Sequence, residues 1–375
     1  MDTRTTARQI RIGNGGVAAI MPLLAWLWPT LASASTVLEQ ETVQQSAVAP
    51  LFESHELLHL TIEAPLDEIF KERGQESSDH NGVLIYESPD SGPVALEVGV
   101  RTRGKTRLDR RICRFPPLRV NFKKKQVENT LFSGQDKLKL VTHCQTGRDR
   151  YEQFLLLEYL IYRSYNILTD LSFKVRLAQI TYVDTEERED SLTQYAFFIE
   201  DDDAVAQRNG WQFLPVPVVP PEYIDGTQLS LLDVFQFMIG NTDWDAFRRE
   251  PDREECCHNV KPIGSIEGPV FPIPYDFDWT GVVDAPYAEP HPSLRLRSVR
   301  QRMYRGLCRP DEFLSNTFAI FNQRKDAIYA LYLNEPALED RYRQRTIEYF
   351  DEFYEIINDA GKVRSQIVSR CRSER

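Results

Sequence analysis

Apolar and polar residues alternate in run after run between residues 55 and 203. That period of two commits this half of the chain to β-strands with one buried face. The runs HELLHLTIEAP (55–65) and VALEVGVRTRG (94–104) follow it. In LRVNFKK (118–124) Leu118, Val120 and Phe122 share a face, and in DKLKLVTHC (136–144) Leu138 and Leu140 do. FKVRLAQITYVD and LTQYAFFIED predict a strand pair joined by an acidic connection. One helix, DRYEQFLLLEYLIYRSYNI (149–167), interrupts the series. Four to six strands with one inserted helix predict an α+β unit.

The pattern changes after residue 203. The proline-rich LPVPVVPPEYIDG reads as a linker and loop. LSLLDVFQFMIG then predicts a buried helix closed by Gly240, and longer amphipathic helices follow around 311–333 and 336–360. The organisation expected is a leader over 1–34, a flexible lead-in over 35–50, a strand-rich lobe over 51–203 and a helical lobe over 204–375.

The leader combines Arg4, Arg8 and Arg11, an apolar run over 17–28 and the small residues ASA at 32–34. This is the pattern of a secretory signal cut after Ala34. Removing it takes the net charge from −11 to −13. An acidic chain of this kind is not a general binder of nucleic acid or anionic membrane. No later stretch is apolar enough to predict a membrane span, so the expected location is secreted or periplasmic. Six cysteines follow the leader, and an even count in an exported chain predicts disulfides. Cys113 and Cys144 are expected to pair in the strand-rich half, with the other four paired within the second half.

Three motifs fall close together between 240 and 281, two of them acidic: GNTDWD, HNVK and PYDFDWTG. Asp276 and Asp278, spaced i and i+2 beside apolar residues, need a compensating charge. Asp243, Asn259 and Asp276 in this order form a set suited to phosphoryl transfer. One carboxylate orients an acceptor hydroxyl, while an amide oxygen and a second carboxylate hold Mg²⁺. The bland readings are a loop residue at Asp243, a turn at Asn259, and ion pairs from Asp276 and Asp278 to Arg295, Arg297 or Arg300. His258 has no second histidine at ligand spacing and reads as structural.

Over residues 95–285 the chain resembles the CotH-like (spore-coat protein H-like) family of atypical secreted kinases. The resemblance rests on VRTRGKTR, LRVNF, KLKLV, the helix near 150–165, the strand ending FFIED, GNTDWD with HN, and PYDFD, in that order. It implies a two-lobed protein-kinase-like fold: an antiparallel-sheet N-lobe with one inserted helix, and a mainly helical C-lobe. It implies Asp243 as catalytic aspartate, Asn259 and Asp276 as metal ligands with Asp278 assisting, and ATP with Mg²⁺ or Mn²⁺ as cofactors. Asp243 and Asn259 stand sixteen positions apart, wider than the usual kinase spacing, with AFRREPDREECC inserted between them.

The same reading asks for a cation on the nucleotide phosphates and a helix carboxylate to hold it. Glu158 shares an otherwise apolar helix face with Tyr151, Leu155 and Tyr162, so it needs a partner. Lys139 is the first choice and Arg103 the second. Lys261 is a candidate phosphate contact, and Glu200 marks the chain crossing where backbone groups would meet adenine. The expected partners are a nucleotide and a protein Ser/Thr, sugar or small-molecule hydroxyl acceptor. The alternative is a catalytically inactive scaffold or binding protein of the cell envelope. A metal-dependent phosphoester hydrolase ranks last, for want of a histidine-rich ligand set.

Overall fold

Seven strands carry out the alternation: β1 (Leu58–Ala64), β2 (His80–Ser88), β3 (Gly92–Thr102), β4 (Leu118–Phe122), β5 (Lys137–Val141), β6 (Val175–Asp184) and β7 (Leu192–Ile199). The computed structural model describes residues 48–74, 77–250, 253–265 and 267–373. The leader and most of the lead-in lie outside them.

The strands close into a barrel in the order β1-β2-β3-β4-β5-β7-β6. Neighbours run antiparallel except at the closure, where β1 and β6 pair in parallel from Leu58↔Ala178 to Ala64↔Asp184. This corrects the expected fold. A closed mixed barrel with helices is not a two-lobed kinase-like fold with an antiparallel N-terminal sheet. The physical reason lies in the edges: β1 has β2 on one side and β6 on the other, so the barrel sheet has no open edge. Period-two patterning says which face of a strand is buried but not which strand it pairs with. β2 was missed as well, because NGVLIYES buries residues of both parities in part.

Inward-facing residues such as Ile62, Leu84, Val100, Val120, Leu138, Ile180 and Phe198 form one apolar cluster. Three short helices, α1 (Pro50–Glu53), α2 (Leu66–Lys71) and α3 (Lys124–Val127), add Phe52, Ile69 and Val127 to it. The outer faces of β6 and β7 are covered by α4 (Arg150–Leu168), so Leu177, Phe197 and Ile199 join a second cluster with Leu155, Tyr159 and Tyr162. Strands buried on both faces lose their alternation, which explains the near-continuous apolar FFI of β7.

Beyond β7 come α5 (Asp202–Arg208), strand β8 (Gln212–Phe213), the buried helix α6 (Gly226–Ile239), and β9 (Val260–Gly264) paired with β10 (Val270–Pro274). The long helices α7 (Asp311–Leu333) and α8 (Asp340–Ile357), with the short α9 (Ala360–Gln366), complete the fold. Helix α6 ends at Gly240 in the left-handed conformation, φ 68°. A side chain at Gly240 would collide with the Tyr349 hydroxyl, so glycine serves both the turn and the close approach.

Three disulfides join Cys113 to Cys144, Cys256 to Cys257 and Cys308 to Cys371. The expected Cys113–Cys144 pair is present, and the other four pair within the second half. Among the described residues no helix is long and apolar enough to cross a membrane.

Candidate functional site

A cleft of about 700 Å³ opens between the outer surface of β3, β4 and β5 and the loops around β9 and β10. Seven of the predicted site residues line it: Asp243, Asn259, Asp276, Asp278, Arg103, Lys139 and Lys261. They come from segments up to 175 positions apart, and the backbone pairing explains the convergence. β9 and β10 pair with Val260 opposite Pro274, so the residues flanking that end, Asn259 and Tyr275, are adjacent. The Tyr275 N–H donates to the Asn259 carbonyl at 3.1 Å, which sets Asp276 beside Asn259.

Asp243 sits in the loop after α6. Its N–H donates to Asn241 Oδ1 at 2.8 Å, and Arg305 donates to the carbonyls of Thr242 and Trp244 on either side. Asn259, in the left-handed region at φ 52°, turns its amide toward this loop. Asn259 Nδ2 donates to the Asp243 carbonyl at 2.8 Å and to Asp243 Oδ2 at 3.1 Å. The other carboxylate oxygen, Oδ1, meets His258 Nε2 at 2.7 Å. His258 Nδ1 meets Glu250 Oε1 at 2.5 Å, and Glu250 in turn accepts from Lys105 at 2.7 Å. Burial opposes the charge on His258, but its hydrogen bonds to Asp243 and Glu250 prevail and raise its pKa to about 9. The sequence marked His258 as structural, and the fold makes it the link between Asp243 and the inserted segment. Residues 251 and 252 of that insertion lie outside the described residues.

Arg107 compensates the acidic pair. Its guanidinium reaches Glu158 Oε2 at 3.3 Å, Asp276 Oδ1 at 3.4 Å and Asp278 Oδ2 at 3.3 Å. One expectation is thereby corrected: Glu158 pairs with neither Lys139 nor Arg103. The bland reading of the aspartates holds in kind, since both form ion pairs, but with Arg107 rather than Arg295, Arg297 or Arg300. Burial raises the pKa of both Glu158 and Asp278, and Arg107 offsets this only in part. Asp278 is 9% exposed, with Tyr287 beside it, whereas Asp276 is 39% exposed and faces the cleft. Asp276 adopts φ 62°, and its N–H donates to the Tyr162 hydroxyl at 2.8 Å. The apolar face of α4 that carries Glu158 therefore also anchors the backbone of Asp276.

Lys139 pairs with Asp202 at 2.5 Å, and Lys261 pairs with the same carboxylate at 2.9 Å. Burial alone would raise Asp202, but the two ammonium groups hold it down at about 2. The lysines shift in opposite directions. Burial dominates at Lys139 and lowers it, while at the less enclosed Lys261 the attraction of Asp202 prevails. Within the acidic run 200–203, Asp202 and Glu200 are therefore engaged by cations, while Asp203 is exposed. Glu200 lies outside the cleft: its carboxylate binds Arg208 at 2.9 Å, and its N–H donates to the Lys174 carbonyl. It has no backbone donor left for adenine.

Among the described residues no group of three or more His, Cys, Asp or Glu side chains is arranged to hold a metal ion. A magnesium ion carried in on phosphates needs only one or two protein oxygens. Asp276, exposed to the cleft, would be the first of these. Asn259 can supply another, because its amide nitrogen is committed to Asp243 and its oxygen is the atom left for a cation. Asp278, enclosed against Arg107, fits a supporting position.

Arg107, Arg101 and Arg119 are the residues that sequence reasoning passed over. Arg107 closes the RGKTR loop, but its partners lie 51 and 169 positions away. Searches against protein families and against curated proteins find no match for this chain.

Proposed function

We propose that the chain is an exported phosphotransferase that moves a phosphoryl group from a nucleotide to a hydroxyl acceptor. The observation that carries this reading is the meeting of Asp243, Asn259 and Asp276 with Lys139, Lys261 and Arg103 in one cleft. Asp243 orients the acceptor hydroxyl and takes its proton. The cations hold the donor phosphates. Mg²⁺ or Mn²⁺ bound with the phosphates would lie between Asp276 and Asn259 and offset the charge developing there. Export is supported by the leader pattern and by three disulfides. The resemblance to CotH-like kinases enters the proposal through its motifs and their order, not through its fold.

Calorimetry with ATP, GTP and ADP in the presence of Mg²⁺ or Mn²⁺ tests the reading. Nucleotide binding is expected in the parent protein and is lost in Asp276→Ala with the thermal transition preserved. Asp243→Asn is expected to keep binding while losing at least about 100-fold in transfer to hydroxyl acceptors. No binding of any of the three nucleotides would end the proposal.

One observation favours a second reading, a binding protein of the cell envelope without catalysis. Arg107 already pairs with Asp276 and Asp278 from within the protein. Ligand binding with no phosphoryl transfer under any metal condition would favour it.

A further inference from the structure

Register across the barrel surface brings together cations that the sequence keeps apart. Arg101 on β3 is the direct cross-strand partner of Arg119 on β4, and Arg119 is the partner of Lys139 on β5. All three line the cleft, while their neighbours Val100, Val120, Leu138 and Leu140 fill the barrel. Arg103, two residues on from Arg101, joins them at the cleft wall. Adjacent strands lie about 4.8 Å apart, so the row spans about 10 Å.

Like charges directly opposite one another on a sheet are destabilising. Here the carboxylates within reach do not balance them. Arg101 has Asp79 at 3.4 Å, and Lys139 shares Asp202 with Lys261. The guanidinium of Arg103 makes no hydrogen bond or ion pair with any described residue; only its backbone N–H is engaged, by the Pro117 carbonyl at 2.9 Å, and the opposite charge that acts on it most strongly is Asp276. Arg119 is likewise without an acidic partner among the described residues, and its Nε is a buried donor with no acceptor. A chain of net charge −11 has thus gathered uncompensated guanidinium groups on one wall of one cleft.

We propose that the row Arg101–Arg119–Lys139, with Arg103, is the seat of an oligophosphate, and that the donor is recognised through its phosphate chain rather than its base. The naming of phosphate rests on the phosphotransferase reading. The seat itself rests on the register and the unpartnered guanidinium groups. Arginine forks match phosphate oxygens in pairs, and a row of them suits linked phosphates better than a single one. At the other end of the row, Lys139 and Lys261 hold their ammonium groups 5.5 and 5.6 Å from the Tyr275 ring. That ring already faces two cations, and the Glu200 N–H expected near adenine is bonded to the Lys174 carbonyl, whereas the guanidinium groups of Arg103 and Arg119 have no acidic partner and suit phosphate.

Titration calorimetry of the full chain with sodium tripolyphosphate, and in parallel with ATP and with inorganic phosphate, tests this. Tripolyphosphate is expected to bind within about threefold of ATP, and inorganic phosphate at least about tenfold more weakly. Arg119→Gln and Arg103→Gln are each expected to weaken tripolyphosphate and ATP by about tenfold. Arg111→Gln, an exposed control paired with Asp109 outside the cleft, is expected to change neither. The proposal is overturned if ATP binds and tripolyphosphate does not, if both cleft variants bind as the parent does, or if an oligoglutamate peptide binds while tripolyphosphate fails. The two ideas separate cleanly. Tripolyphosphate binding lost in the variants, with no transfer from ATP, supports the seat and removes the phosphotransferase. Transfer from ATP with no tripolyphosphate binding does the reverse.

Discussion

Two clusters of charge meet at the same cleft with opposite imbalance. Around Arg107 one guanidinium serves three carboxylates, Glu158, Asp276 and Asp278. Across β3, β4, β5 and β9 five cations, Arg101, Arg103, Arg119, Lys139 and Lys261, share two carboxylates, Asp79 and Asp202. The first cluster is mostly buried and pairs its carboxylates with a cation from within the protein, at the cost of raised pKa values at Glu158 and Asp278 and with Glu158 Oε1 left without a hydrogen-bond partner. The second faces the cleft and leaves a donor unsatisfied. The difference teaches what each is for. A buried nest with a single counter-ion fixes the positions of its carboxylates, Asp276 among them. An open row with surplus charge is completed by a ligand. The two clusters should therefore respond to the loss of a cation with opposite sign in stability.

The largest effect is expected at Arg107. Arg107→Leu removes the one cation from the nest and leaves Glu158 and Asp278 enclosed without a counter-charge, Asp278 keeping only its hydrogen bond with Tyr287. Breaking a buried ion pair from one side costs about 3–5 kcal/mol. Chemical denaturation is expected to register a loss of that size. A second change, Asp278→Asn, should recover part of it by removing one stranded charge. A loss below about 1 kcal/mol would mean that Glu158 and Asp278 hold protons and do not depend on Arg107.

The next effect concerns pH. His258 is flanked by Asp243 and Glu250, with Lys105 and Arg253 behind Glu250. Its pKa rises from 6.5 to about 9 on folding. A raised folded pKa contributes stability that is complete below the unfolded value and is lost as pH rises through the folded one. The window is therefore pH 6.5 to about 9, with a contribution on the order of 2–3 kcal/mol at its lower end. Thermal transitions measured across that window should fall more steeply in the parent than in His258→Gln. Parallel curves would show that the imidazole is not held as a cation between Asp243 and Glu250.

How much of this was legible follows from the kind of signal each part leaves. Alternation gave the faces of β1, β3, β4 and β5 correctly, and Gly240 marked the end of α6 as expected. The barrel was not legible, because its closure depends on a parallel pairing between β1 and β6 some 120 positions apart. The acidic motifs were legible as motifs, and seven of the nine candidate residues line one cleft. Their partners were not. The sequence marks Glu158 as needing a cation, but nothing local separates Lys139, Arg103 and Arg107 as its source. The choice is made by the loop after β3, which carries Arg107 to α4 while the sheet holds Lys139 against Asp202. The cationic row was hidden for the same reason. Arg101 and Arg119 each read as an ordinary outward polar residue, and Lys139 as a single phosphate cation, until register sets the three side by side.

The smallest effect tests the comparison most directly, because its sign is unusual. Arg119→Gln removes a cation flanked by Arg101 and Lys139 and exchanges a buried guanidinium donor without an acceptor for a neutral amide. Relief of like-charge pairing across strands is worth about 0.2–1 kcal/mol. In low-salt buffer free of phosphate and sulfate, the variant is expected to melt at or above the temperature of the parent. Added salt should shrink the difference, since screening weakens the same repulsion in the parent. Added tripolyphosphate should invert it, because only the parent then gains the full stabilisation of a bound anion. A variant that melts well below the parent in the anion-free buffer would mean that Arg119 is held by contacts within the protein. The row would then be as self-sufficient as the nest around Arg107, and the contrast between the two clusters would be lost.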